Sequence, residues 1–472
     1  MIHSKKAIGF FYCVGFLAIL FFSYKTIPTV SFSDFSLFEW QLKLVLKGSL
    51  HLPYPFLTTD PNLEFFPLPN VFFHLTKTNI DSTFPNLYPI LFSPFYWIGG
   101  KMGIQLIQFL LFFLSIWLFF LIKRDHLLSL ILLFGSSIPI YTNLIHDTIF
   151  IFFLEVLLFY NLHKQYPFFV SLLSLSLVWM RPEFVFVICL LPFYFEWKNI
   201  WKQYLMWFGF FLFLFITTNF IFFSTVFPLR LFKNSTYHWN PEIVVYLFRL
   251  LIEQIPAFTL FLVLLVIGVF QKKFKLQFLI LIFFTCLILV FSPNTGGHNT
   301  PRYLFCLVPF YVLSFHSNLL ETLHRKNFTM ILVVILTIYS VYQWQYQTKE
   351  LLKISKFQSN TLASLNQIPE QTIVFNNSDF SFVALPLIEQ NKNLFLLREN
   401  PEKNAFSTFL VSNHINSFVF VELPPSPYAI PNPLVIPNCD NDCQFRLVDQ
   451  STLPNAMLPI MVTRYNRSFP RN

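Results

Sequence analysis

Charged residues are scarce in this sequence: Asp, Glu, Lys and Arg together make up 12% of its 472 residues. A soluble domain has about a quarter of its residues charged. A chain that is 55% hydrophobic by composition cannot hide its apolar side chains in one globular core. The composition therefore excludes an ordinary soluble protein and indicates insertion into a membrane.

Glycine is scarce as well, with 11 residues in the whole chain. The sequence has no GxGxxG, Walker, HExxH or GxSxG pattern, so it lacks the usual signatures of nucleotide-binding loops, zinc hydrolases and serine hydrolases. No predicted cytoplasmic loop is long enough for a domain that would bind a nucleotide sugar. Nucleotide-dependent chemistry is therefore disfavoured.

Cysteine is the third residue type in short supply, with 6 in the chain. Most lie inside apolar runs, where a cysteine behaves as a small buried hydrophobe. Cys439 and Cys443 instead stand four residues apart in the polar C-terminal region. A local disulfide fits this pair if the region is extracytoplasmic. No matching pair of histidines accompanies them, so the spacing does not indicate a metal site.

Hydrophobic runs are abundant, many of them near the ~20 residues that span a bilayer. The Lys and Arg residues cluster between these runs, as in cytoplasmic loops, so the net charge of +9 indicates topology rather than contact with nucleic acid. The first run, residues 7–24, follows Lys5 and Lys6 and has no cleavage site, which predicts an uncleaved anchor. The predicted fold class is an all-α polytopic membrane protein with about 11 transmembrane helices.

The chain changes character after residue 346. Residues 347–472 carry mixed charges, proline-rich stretches and short β-type runs at residues 371–375, 393–397 and 417–423. The sequence therefore predicts a transmembrane domain over residues 1–346, with a long outer loop at residues 25–100. A small extracytoplasmic α/β domain is predicted over residues 347–472.

The outer loop opens with Ser33-Asp34 and a stretch of helical spacing that Gly48 ends. One face of this helix is apolar and the other is polar, which predicts a helix lying along the membrane surface. Asp34 stands at its start, where an acidic residue is also common for purely structural reasons. The loop closes with the proline- and aromatic-rich segment FPNLYPILFSPFY at residues 84–96.

This arrangement resembles the GT-C superfamily of membrane glycosyltransferases, such as the protein O-mannosyltransferases and the aminoarabinose transferases. In that family an acidic motif, a helix ending in glycine and a segment like YPPLYPLLLAPFY follow the first span. The resemblance covers about residues 7–346. It implies transfer of a sugar from a polyprenyl-phosphate-linked donor, with inversion and with Asp34 as the general base, which needs only one positioned carboxylate.

The resemblance also implies a second outer acid. Asp147, beside His146, matches the acid that lines the site where a later span begins in relatives, although an acid at a span end can simply be solvated. Glu155 lies about two turns deeper in the same span, and an acid at membrane depth usually faces protein or a cavity. In some relatives a divalent cation binds acids of the outer loops. Here Phe35 occupies the position where many relatives carry a second acid. The sequence therefore predicts no metal site, and binding of a divalent cation is left as an open alternative.

Two further motifs match the family in order. Arg181 and Glu183 in the turn WMRPEF resemble an outer RPE turn; they are expected to contact phosphate or sugar, or only to pair with each other across the turn. Arg302 and Tyr303, with His298 nearby, resemble a segment RYLLPLLPF. The planar guanidinium of Arg302 suits a lipid phosphate, although an arginine at this boundary can also reach lipid headgroups.

The predicted function is thus sugar transfer from a polyprenyl-phosphate donor to a glycan, lipid or protein acceptor on the outer face of a cytoplasmic membrane. Membrane lipids are the other expected partner, and nucleic acid is not expected. Two other functions stay open: a polytopic transporter or flippase, and a non-catalytic membrane component of polysaccharide assembly. The charges cluster at predicted outer span ends rather than at the midplane, which favours the enzyme over the transporter.

Overall fold

The computed structural model describes residues 5–26, 34–76, 78–197, 199–232, 240–270, 276–292, 300–315, 326–398, 406–423, 430–436, 444–453 and 459–468. The helices are α1 (Lys5–Thr26), α2 (Asp34–Leu46), α3 (Leu87–Lys123), α4 (His126–Phe134), α5 (Thr148–His163), α6 (Pro167–Met180), α7 (Phe184–Tyr194), α8 (Trp201–Phe223), α9 (Pro241–Gln254), α10 (Pro256–Phe270), α11 (Leu276–Phe291), α12 (Val308–Ser314), α13 (Lys326–Asn366), α14 (Ser378–Ala384) and α15 (Phe406–Ser412). The strands are β1 (His51–Leu52), β2 (Phe73–Leu75), β3 (Ile80–Ser82), β4 (Thr372–Phe375), β5 (Asn393–Leu396), β6 (Ser417–Glu422), β7 (Leu434–Val435), β8 (Gln444–Thr452) and β9 (Met461–Ser468).

The chain divides into two compact units. The first unit comprises Met1–Pro28, Ile90–Phe232 and Thr236–Leu351, and the second comprises Thr29–Pro89, Lys233–Ser235 and Leu352–Asn472. The outer loop therefore belongs to the same compact unit as the C-terminal region.

The first unit is helical and apolar. Its surface exposes large hydrophobic side chains, among them Trp97, Phe213 and Phe270. Exposing such side chains is unfavourable in water and favourable in the hydrocarbon core of a bilayer. In the described residues, 3 helices are long and apolar enough to cross a membrane, or up to 4 if α9 and α10, bent by 90°, form one span. The chain is a multi-pass membrane protein, but the prediction of about 11 spans is not confirmed by helix length.

Two apolar runs of the sequence do not form continuous helices. In residues 127–144, α4 ends at Phe134, and a 3-10 helix follows over Ile138–Asn143. Pro139 lies in the first turn of that 3-10 helix, because proline cannot donate the hydrogen bond that a continuous helix would need there. Residues 302–316 likewise divide into a 3-10 helix, Arg302–Leu307, and the short α12.

The C-terminal part of the second unit is built on a six-stranded sheet in the order β5-β4-β6-β9-β8-β7. The three predicted strands are confirmed as β4, β5 and β6, and β4 pairs in parallel with both of the others. Neighbouring residues of β4 point to opposite faces, so Val374 and Ile373 enter two separate hydrophobic clusters. Both faces of the sheet are therefore buried at β4.

The outer loop packs within this second unit. Phe65 joins the cluster that contains Val374. The guanidinium of Arg398 donates hydrogen bonds to backbone carbonyl oxygens of the loop at Leu63 and Phe66, 2.7 and 2.6 Å away, and also to those of Glu64 and Leu68. A single side chain after β5 thus fixes the path of residues 63–68 by satisfying carbonyls that a turn leaves unpaired.

Helix α2 starts at Asp34, as the sequence predicts, and Gly48 follows it with a φ of 77° that favours glycine. The polar face of α2 is partly enclosed by protein. Glu39 and Gln41 are buried, and the amide of Gln41 donates to Asn86 Oδ1 at 3.1 Å. Lys47, on the same face, has a side chain that is 65% exposed.

Candidate active site

A small cleft, lined by both polar and apolar side chains, lies in the first unit. Its polar lining comes from three segments that are far apart in the sequence. These residues are Thr148, Glu155, Arg181, Glu183, Arg302 and Tyr303. The cleft therefore brings together most of the residues that the sequence motifs single out after the outer loop.

A buried ion pair stands behind the cleft. Asp147 Oδ1 lies 2.6 Å from Arg181 Nη2, and both side chains are almost fully enclosed. Arg181 also approaches Glu183, with Nη1 3.5 Å from Oε1. Asp147 is thus not a solvated acid at a span end, and it precedes α5 without a side-chain capping bond. The pair of Arg181 with Glu183 exists, but the contact with Asp147 is shorter.

The local sequence explains where Arg181 stands. Pro182 disfavours the helical conformation at the residue before it. Arg181 accordingly has extended backbone angles, φ −144° and ψ 108°, and α6 ends there. The chain turns at this point, and the guanidinium is directed to Asp147 rather than along the helix.

His146 links this pair to Arg302. Arg302 Nη1 lies 3.0 Å from His146 Nε2, and Thr148 Oγ1 lies 2.7 Å from His146 Nδ1. A guanidinium can only donate, so Nε2 accepts from Arg302. The other ring nitrogen, Nδ1, lies 3.2 Å from the backbone nitrogen of Thr148 and 3.1 Å from Asp147 Oδ1. The orientation of Arg302 is therefore tied to Asp147 through the imidazole.

Arg302 does not reach out to lipid headgroups. Only 6% of it is exposed, and its guanidinium carbon lies 5.4 Å from the ring centre of Tyr303. Such stacking over an aromatic face restricts the guanidinium plane while leaving its edge available for hydrogen bonds. The arrangement can hold an anion of tetrahedral geometry in the cleft.

Two glutamines hold the non-helical backbone that carries His146 and Asp147. From α3, Gln105 Nε2 donates to the carbonyl of Asn143, and Gln108 Nε2 donates to the carbonyl of His146, both at 3.0 Å. Irregular backbone at membrane depth needs such partners because lipid supplies none. Sequence reasoning missed these glutamines, although two amides three residues apart in an apolar run are a usable signal.

Asp34 belongs to the second unit. It is the first residue of α2, and 5% of it is exposed. His298, the remaining residue predicted for the site, lies outside the described residues. Among the residues that the structure describes, no group of three or more His, Cys, Asp or Glu side chains is arranged to hold a metal ion.

No family model matches the chain, and no curated protein matches it in sequence. The fold is nevertheless that of a known class, the GT-C membrane glycosyltransferases. Two crystal structures of ArnT from Cupriavidus metallidurans match it along nearly the whole chain. The apo structure has a TM-score of 0.57 and 9% identity over 97% of this chain and 98% of that chain. The structure bound to undecaprenyl phosphate has a TM-score of 0.57 and 10% identity, with 98% of each chain covered.

The resemblance to the GT-C superfamily that the sequence motifs indicate is therefore confirmed at the level of the fold. At these identities the likeness concerns the fold alone.

Proposed function

We propose that this protein is an inverting glycosyltransferase that moves a sugar from a polyprenyl-phosphate-linked donor to a glycan, lipid or protein acceptor. The observation that carries the proposal is the convergence of Arg181, Arg302 and Tyr303 in one cleft of a GT-C fold. Polar groups concentrated in an otherwise apolar helical unit mark a functional site, since their burial costs stability.

The two arginines provide the leaving-group site. Arg302 and Arg181 line the cleft with guanidinium groups held by His146 and Asp147. A lipid phosphate that leaves in the transfer step gains negative charge, and fixed cationic donors stabilise that charge. The ArnT structure bound to undecaprenyl phosphate supports a polyprenyl lipid as the partner. Asp147 is the second acid of the site, and it acts by orienting Arg181.

Asp34 is the general base in this proposal. An inverting transfer with a phosphate leaving group needs no enzyme nucleophile, so one carboxylate that accepts the proton of the acceptor hydroxyl is sufficient. The assignment rests on the GT-C motif that Asp34 opens. We place the reaction at the outer face of a cytoplasmic membrane, with about 11 spans and an extracytoplasmic second unit, as the distribution of Lys and Arg predicts.

The test uses the full-length protein in liposomes with a panel of labelled undecaprenyl-phosphate-linked sugars and cell-envelope acceptors. Release of undecaprenyl phosphate and labelling of the acceptor are measured. D34N is expected to lower transfer by about 100-fold or more. D379N is the matched control, because Asp379 is also an acid in the first turn of a helix of the second unit, and it should leave transfer unchanged.

Three outcomes would contradict the proposal. Transfer that is normal in D34N removes the base assignment. R302M with unchanged affinity for undecaprenyl phosphate removes the leaving-group site. Movement of lipid-linked sugar across the bilayer without any transfer would identify a flippase instead of an enzyme.

A further inference from the structure

Glu155 is the more buried of the two acids that line the cleft in the first unit. It lies on α5, eight residues after Asp147, which corresponds to about 12 Å along the helix axis. Its side chain lines the cleft and is 1% exposed. Its Oε1 has no hydrogen-bond partner among the described residues. Neither the Asp147–Arg181 pair nor the His146–Arg302 contact involves Glu155, so neither explains why an acid is buried at this position.

An unsatisfied carboxyl oxygen in an apolar surrounding is costly. The cost is tolerated where a ligand supplies the missing partner, and Glu155 faces the cleft rather than a packed core. No donor among the described residues reaches Glu155 Oε1. The guanidinium groups of Arg181 and Arg302 line the same cleft but bind Asp147 and His146. The carboxyl oxygen of Glu155 can therefore be satisfied by a ligand group that donates a hydrogen bond.

Polar atoms of other residues that line the cleft point to the same ligand chemistry. Arg181 Nε is a buried donor without a hydrogen-bond partner in the described residues, and Glu183 Oε1 is a buried acceptor that approaches Arg181 Nη1 only at 3.5 Å. A group that offers several donors beside an anion would satisfy this set. A sugar carries hydroxyl or amino donors, and its phosphate carries the anion.

We infer that Glu155 is a specificity-determining residue whose carboxyl accepts hydrogen bonds from hydroxyl or amino groups of the transferred sugar. The inference rests on the proposed function, because it assumes that the lipid phosphate lies at Arg181 and Arg302. The sugar then extends from the arginines toward Glu155 along the wall formed by α5. The carboxyl keeps an acceptor oxygen in either protonation state, so the contact does not depend on its charge.

The experiment measures equilibrium binding to the full-length protein in nanodiscs. The probes are undecaprenyl phosphate alone and the same lipid phosphate carrying glucose, galactose, mannose, arabinose or a 2-amino-2-deoxy hexose. The variants are E155Q, which keeps an acceptor oxygen, and E155L, which removes it at similar volume. E253Q is the matched control, because Glu253 is a partly exposed acid of the same unit that forms an ion pair with Arg249.

The wild-type protein is expected to bind at least one sugar-bearing lipid about tenfold more tightly than the bare lipid phosphate. E155L should lose that preference while its affinity for undecaprenyl phosphate alone stays within about twofold. E155Q should keep part of the preference, and E253Q all of it. Whether the donors are hydroxyl or amino groups follows from which sugar is preferred.

The failures of the two proposals are distinguishable. If the wild-type protein does not bind bare undecaprenyl phosphate, the proposed function fails and this inference fails with it. If it binds the bare lipid but prefers no sugar, or if E155L keeps the preference, the lipid-phosphate site stands and the role of Glu155 is wrong. If E155L weakens both kinds of lipid equally, Glu155 is structural and the inference is also wrong.

Discussion

Asp147 and Arg181 are 34 residues apart in the sequence, yet the carboxylate Oδ1 and the guanidinium Nη2 lie 2.6 Å apart in the interior of the first unit. Asp147 precedes α5, and Arg181 ends α6. The two helices pack against each other in antiparallel fashion through a short connection, which places the start of one beside the end of the other. The pair therefore ties together the two motifs that line the cleft.

Removing one partner of this pair should be far more damaging than removing both. D147N or R181M leaves one charge buried and uncompensated, and we expect each to lower the free energy of unfolding by about 3–5 kcal/mol. The double variant should recover a large part of that loss. Thermal unfolding of the four proteins in one detergent measures the coupling.

Arg249 and Glu253 provide the control for the ion pair. Their Nε–Oε1 distance of 2.7 Å is similar, but the side chains are 68% and 42% exposed. E253Q should therefore have no measurable effect on stability. Additive losses in the Asp147–Arg181 cycle would show that the pair is not coupled.

Gln108 should act as a positioning residue for the turn that carries His146 and Asp147. Q108L leaves the buried carbonyl of His146 without its donor, which should cost about 1–3 kcal/mol of unfolding free energy. The same variant should weaken binding of undecaprenyl phosphate, because His146 orients Arg302. Q203L, at an exposed glutamine on α8, is the control. Weakened stability with unchanged lipid binding would limit Gln108 to a structural role.

Arg398 should stabilise the second unit through residues 63–68. R398M removes donors to several loop carbonyls, and we expect a loss of about 2–3 kcal/mol together with faster proteolysis at this loop. R398K should restore only part of the stability, since an ammonium lacks the planar fork. R464M, which removes ion pairs with Glu370 and Asp449, should leave cleavage at the loop unchanged. Equal cleavage of R398M and wild type would contradict the role.

Asp81 should make the second unit less stable as pH rises through the acid range. Burial raises the pKa of its carboxyl, and the contacts with His51, Thr76 and His74 oppose that rise. The folded state thus holds the proton more tightly than the unfolded state, so the stabilisation is present at low pH and is lost as pH rises through the folded pKa.

The measurement is thermal unfolding of wild type and D81N from about pH 3.5 to 7, and the quantity compared is the difference in stability between the two proteins at each pH. D81N is the reference because it lacks the carboxyl that titrates. The wild type should lose stability relative to D81N as pH increases. His51 Nδ1 lies 2.6 Å from Asp81 Oδ1 and lowers that pKa, so H51Q should shift the loss to higher pH. A difference that does not vary with pH would contradict the prediction.

Much of the fold follows from the sequence because local patterns carry it. The scarcity of charge indicates the membrane, the spacing after Asp34 predicts α2, and the β-type runs predict β4, β5 and β6. Helix interruptions were harder to predict. The run at residues 127–144 is mostly apolar, so its hydrophobicity is compatible with a continuous span, although Gly135 and Pro139 within it are signals of a break.

The candidate site, like the fold, could be predicted only in part from the sequence. Asp147, Arg181 and Arg302 were predicted from the sequence because their short motifs resemble those of the GT-C superfamily and follow in the same order. The sequence did not indicate that Asp147 binds Arg181, that His146 lies between Asp147 and Arg302, or that Gln108 holds the turn. Those contacts join helices that are distant in sequence, and only packing determines which side chains meet. The position of Glu155 in the cleft is also a tertiary property, since an isolated helix has no cavity to face.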